Sequence, residues 1–144
     1  LVGEGASAIA GGAHSNEVDI AWAEAVLGSV GLVVRVPETQ LDVVTGLAGS
    51  GPAYLFLVAE ALMDAGVASG LPRATAETLV RQLFVGSAKL LAQGEAPADL
   101  RASVTSPGGT TAAGVSVLET EAVRAAFIQA VKAATDRSRE LGNR

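Results

Sequence analysis

From residue 38 onward the apolar side chains recur every three or four positions, the rhythm of helices that each present one stripe to a core. Upstream the rhythm is different. The run LVVRVP, residues 32–37, is β-branched and bounded by Gly31 and Pro37, which predicts a short strand. Before it, Ser15 or Asn16 in HSNE is placed to cap a helix running through Trp22 to Leu27, and LGSVG stops that helix. A strand-helix-strand piece therefore precedes the helical part.

After Pro37, Leu41, Val44 and Thr45 start a helix, AGSGPAY interrupts it, and Tyr54, Leu57, Val58, Ala61, Leu62 and Ala65 resume it. A kinked or interrupted helix pair is expected. ASGLPR separates off a third helix, with Pro72 at its first position and Leu79, Leu83, Ser87 and Leu91 along one side. QGEAP closes it, and Pro97 opens a short amphipathic piece ending near Val104. Two more helices are expected over 111–119 and 123–141, the last with Phe127, Val131 and Ala134 as its apolar stripe. The expected fold is mainly α, with residues 1–37 the tail of another domain and 38–144 an all-helical module.

Composition narrows this picture. With 49% hydrophobic and 17% charged residues, 144 residues suffice for one ordinary core. Aromatics are limited to Trp22, Tyr54, Phe56, Phe84 and Phe127, so Ala, Val and Leu must build a core of closely approaching helices, and some apolar area is expected to need a partner chain. A net charge of -5 without any Lys or Arg run argues against nucleic acid and against an anionic membrane surface. Without cysteine and with a single histidine, neither a disulfide nor a metal site is expected, which suits a cytoplasmic location. The longest apolar run, 52–62, is interrupted by Glu60 and is shorter than the roughly 20 residues of a membrane span, so it predicts a buried helix. The chain opens at Leu1 without Met and without a basic segment followed by an apolar one, which points to a fragment without a signal peptide.

Two glycine motifs compete for a ligand. GEGASA, residues 3–8, matches the dinucleotide fingerprint in letters, but only two residues precede it and IAGGAH follows, so a turn leading into a strand is expected instead. In SPGGTT, residues 106–111, Pro107 fixes one φ, Gly108 and Gly109 open conformations closed to other residues, and Thr110 or Thr111 starts a helix whose first N–H groups are unpaired. Such a nest suits an anion. No Lys or Arg lies within eight residues after Arg101, so a single carboxylate is matched better than a phosphate. The alternative is a plain helix cap. GSGPAY, residues 49–54, is explained by turning and close helix packing; His14 by an exposed or capping role; Glu60 is either a buried acid or one facing a groove or an interface.

The stretch LDVVTGLAGSGPAYLFLVAEALMDAGVASGLPR, followed by LRASVTSPGGTTAAGVSVLE and by RSREL at 137–141, closely resembles pyrroline-5-carboxylate reductases over nearly the whole chain. That resemblance implies a helical dimerisation domain of the dehydrogenase C-terminal type, preceded by the last strand-helix-strand of a Rossmann domain. The implied activity is NAD(P)H-dependent reduction of 1-pyrroline-5-carboxylate to L-proline, with this chain supplying the substrate and dimer half and inactive alone. It implies that the loop of Ser106, Gly108, Gly109, Thr110 and Thr111 receives the substrate carboxylate, and that Thr111 offers its hydroxyl to the ring nitrogen as the catalytic position. Glu38, at the domain junction, and Ser103, where relatives often have Asn, are the implied cofactor contacts, most of NADPH or NADH being held by an N-terminal domain. The implied partner is a second copy, in some relatives assembled further into rings of dimers. LETEAVR replaces the Gly-Gly turn usual in relatives, and Ala48 stands where Ser is common. Two other readings are a non-enzymatic helical dimerisation module and the helical domain of a hydroxy-acid dehydrogenase; the latter would place a Lys on the long helix, and PAYLFLVAEALMDAG has none.

Overall fold

The computed structural model describes residues 2–142, which begin with strand β1 (Gly5–Ile9), helix α1 (Glu17–Gly28) and strand β2 (Gly31–Arg35). The strands pair in parallel, Gly5 opposite Gly31 through Ile9 opposite Arg35. Of the two candidate caps for α1, Asn16 does the capping. Its Oδ1 accepts from the Val18 and Asp19 N–H groups at 2.8 and 3.2 Å, and Asp19 accepts the Asn16 N–H at 2.9 Å. Ser15 instead donates to the Gly12 carbonyl. Gly31 is obligatory, because a Cβ there would collide with the Gly5 backbone where pairing begins. GEGASA forms a turn, with Gly3 at φ +75°, followed by β1. His14 is exposed.

Beyond Pro37 a 3-10 turn (Glu38–Gln40), a short helix α2 (Leu41–Val44), a π-turn (Thr45–Gly49) and helix α3 (Gly51–Ala68) follow without a break. The expected interruption at AGSGPAY is therefore a widening, earlier by three residues: the Ser50 N–H donates to the Thr45 carbonyl, five residues back, at 2.8 Å. Its cause lies on helix α7 (Val123–Gly142). A Cβ on Gly46 would collide with the Thr135 hydroxyl and lie 2.9 Å from the Val131 carbonyl oxygen, so the two backbones touch where only glycine fits. Thr135 is buried and Ser138 donates to Asp42 at 2.6 Å beside it.

The chain groups into two compact units, Leu1–Pro52 with Ala126–Arg144, and Ala53–Ala125. The second holds helices α4 (Arg73–Leu91), α5 (Pro97–Ser103) and α6 (Thr110–Thr120). Pro72 is the N-cap of α4, one position before that expected, while Pro97 does open α5. Its core is Ala76, 1% exposed, and Val80, with Gly66 of α3 against the Ala76 methyl. The leucine side of α4 is the outer one: Leu79, Leu83 and Leu91 are all about half exposed, because the small residues allow the closer approach. Between α6 and α7, within LETEAVR, the non-glycine Ala122 takes φ +55°.

Helix α3 corrects another expectation. It has no buried residue, and Leu55, Phe56 and Leu57 are 55–67% exposed, so the helix expected to be buried is uncovered within the single chain. Glu60 is exposed as well. The continuous helical stretch Glu38–Ala68 is, by length and composition, long and apolar enough to cross a bilayer, unlike the shorter uninterrupted run in the sequence. A helix face awaiting another protein chain has the same composition.

Candidate functional site

Helix α5 is closed by side chains that turn back onto it: Ser103 donates to the Leu100 carbonyl at 2.8 Å and Thr105 to the Arg101 carbonyl at 2.6 Å. Ser106 to Gly109 then form a tight turn, with the Gly109 N–H donating to the Ser106 carbonyl at 3.0 Å, Pro107 second and Gly108 third at φ +69°. Proline followed by a positive-φ glycine is the pattern of a type II turn. A Cβ on Gly109 would displace the Ser106 hydroxyl from its place in the turn and lie 3.1 Å from the Ser106 carbonyl oxygen.

Helix α6 starts immediately afterwards, and its N-cap is Gly109, which has no side chain to offer. Neither threonine hydroxyl caps the helix. The Ala113 N–H reaches the Gly109 carbonyl at 3.2 Å, which leaves the amides of Thr110, Thr111 and Ala112 as the open first-turn donors. Among the described residues the hydroxyls of Ser106, Thr110 and Thr111 make no hydrogen bond, and all three residues are exposed. The turn therefore gathers three N–H groups, three hydroxyls and the positive end of a helix dipole, a set that can hold one carboxylate and orient a neighbouring nitrogen.

Ser106, Gly108, Gly109, Thr110 and Thr111 thus share one turn, in the second unit. Ser103 ends the preceding helix, with its hydroxyl bonded to Leu100. Glu38 lies in the first unit, exposed where the 3-10 turn begins. No group of three metal-binding side chains comes together among the described residues.

The sequence reading missed a charged cluster at the other end of α6 from the turn. Glu119, near the end of α6, accepts from Arg124 Nε at 2.9 Å and Nη2 at 2.7 Å, and from Arg101 of α5 at 3.3 Å. The hydrogen bond from Arg124 is the main reason the Glu119 carboxyl titrates below its ordinary range, and the same contact raises the Arg124 pKa. A cavity of about 260 Å³, lined by Arg101, Ala102, Thr105 and Val115, opens between α5 and α6. The available signal was Glu119 and Arg124 facing each other across a turn. In the first unit a second cavity, of about 330 Å³, lies at the carboxyl ends of β1 and β2 beside Gly11, Asn16 and Arg35. The Arg35 guanidinium there is occupied by Glu24, at 2.6 Å, and by Glu17.

A parallel strand-helix-strand followed by a helical module is the fold of a Rossmann remnant preceding a helical domain of the dehydrogenase C-terminal type. Residues 38–141 match the family described as pyrroline-5-carboxylate reductase dimerisation, and the chain belongs to that family. It is 51% identical over 144 residues to a pyrroline-5-carboxylate reductase of Synechocystis, covering 99% of this chain and 54% of the relative. With one from Arabidopsis thaliana it shares 49% over 141 residues, 97% of this chain and 51% of the relative. A solved pyrroline-5-carboxylate reductase from Coxiella burnetii superposes with a TM-score of 0.92 at 39% identity, covering 97% of this chain and 53% of that one. The Plasmodium falciparum pyrroline carboxylate reductase with NADP bound gives 0.89 at 34%, covering 98% and 54%. The chain spans about half the length of the curated relatives it matches.

Proposed function

We propose that the whole protein is a pyrroline-5-carboxylate reductase, reducing 1-pyrroline-5-carboxylate to L-proline in the cytoplasm, and that this chain supplies its substrate and dimer half. Family membership over 38–141 supports the reading, and the observation that carries it to the site is the turn at 106–111, whose amides and hydroxyls are open. The substrate carboxylate sits on the Thr110, Thr111 and Ala112 amides with Ser106 beside it. The Thr111 hydroxyl orients the ring nitrogen. The imine binds protonated, so that delivery of a hydride to the C=N carbon leaves the secondary amine of proline and no further proton is needed.

NADPH or NADH supplies that hydride, and this chain alone does not form its site. The α1 N-terminus is closed by its own capping box, and the GEGASA glycines form a turn and a strand. In this proposal a preceding domain, of which 1–37 is the tail, binds the dinucleotide, and Glu38 and Ser103 meet its edge. Residues 38–144 are the dimerisation and substrate module.

The test is kinetic, on the full-length protein. Thr111→Ala leaves the carboxylate nest in place and removes the orienting hydroxyl, so kcat falls roughly 10-fold while KM changes much less. Gly109→Val obstructs the nest and raises KM first. Wild-type constants for Thr111→Ala would reduce that hydroxyl to a bystander.

A further inference from the structure

A solvent-open groove of about 260 Å³ lies between helices α5 and α6, lined by Arg101, Ala102, Thr105 and Val115. Polar links span the two helices. The Thr105 hydroxyl, immediately before the turn, is bonded to the Arg101 carbonyl, and the Arg101 guanidinium reaches Glu119 near the far end of α6. Glu119 is in turn gripped through both oxygens by Arg124. A ring is formed: Thr105, the turn, α6, Glu119, Arg101 and back to Thr105.

We propose that Glu119 is a positioning residue for the turn at 106–111: by holding Arg101 while itself held by Arg124, it fixes α5 against α6 and so sets where the Thr110 and Thr111 amides point. The inference rests on the proposed role of that turn in binding a carboxylate. Convergent N–H donors lose their advantage when displaced by about 1 Å. All three charged side chains are partly exposed, and such pairs contribute little to global stability. Their effect falls on placement of the turn more than on folding.

The experiment uses the full-length protein and the variants Glu119→Gln, Arg101→Met and Arg101→Lys. For Glu119→Gln and Arg101→Met, KM for 1-pyrroline-5-carboxylate is expected to rise about fivefold, with kcat and the dinucleotide KM within about twofold. Arg101→Lys, which keeps the charge, stays near wild type. Amide hydrogen exchange over 104–113 is expected to quicken about threefold or more in the first two variants and not in the third, with α4 unchanged. Exchange reads the ring without depending on turnover, so a parent protein that fails to reduce the imine would overturn the proposed function and leave this measurement standing. Unchanged substrate KM and unchanged exchange over 104–113 in either Glu119→Gln or Arg101→Met, with circular dichroism and Tm like the parent, would overturn the positioning role.

Discussion

Two residues with unfavourable or exacting backbone settings flank α6. At Gly109, before it, a Cβ would push the Ser106 hydroxyl out of the turn. Ala122, after it, accepts one at a cost, since a φ of +55° brings the methyl against the following carbonyl. Bidentate pairing of Arg124 with Glu119 across the same turn helps hold the strained residue in place. Ala122→Gly is therefore expected to stabilise the protein by about 0.5–1 kcal/mol after the added flexibility of the unfolded chain is counted. A rise in Tm of roughly 2–4 °C in thermal unfolding checks it.

At the scale of elements, the sequence was legible wherever the cause was local. Asn16, the β-branched run before Pro37, and Pro97 each act on neighbours a few residues away, and β1, α1, β2 and α5 follow from them. The turn at 106–111 was legible for the same reason, because proline and two glycines dictate their own dihedrals. What was not legible depended on partners distant in sequence. The π-turn exists where Gly46 meets Thr135, and a helical period cannot announce a contact from α7. Periodicity on α4 revealed a leucine stripe but not that the small residues Ala76 and Val80 would win the core. The Arg101–Glu119–Arg124 cluster joins three helices, and no single stretch of sequence holds it.

For the whole molecule, two outcomes are expected. Glu24, Glu119 and Asp136 have carboxyl pKa values lowered first by hydrogen bonds from Arg35, Arg124 and Lys132. Each folded value lies below its unfolded one, so the stability they contribute is complete above the ordinary carboxylate range and is lost as pH falls through the folded values. Because these pairs are exposed and screened, urea midpoints measured across pH should show only a small contribution, flat down to about pH 5 and declining below about pH 4. The second outcome concerns assembly. Because α3 keeps no residue buried within its own chain, the protein is expected to be a dimer or larger, and light scattering at micromolar concentration checks it; a well-folded monomer would contradict the expectation.

The uncovered face of α3 also changes what stability means for this chain. In the expected dimer, where a second copy covers Leu55, Phe56 and Leu57, pairing would be second order in protomer and the melting temperature would depend on how much protein is present. Diluting the protein and weakening its core would then both appear as a lower melting temperature.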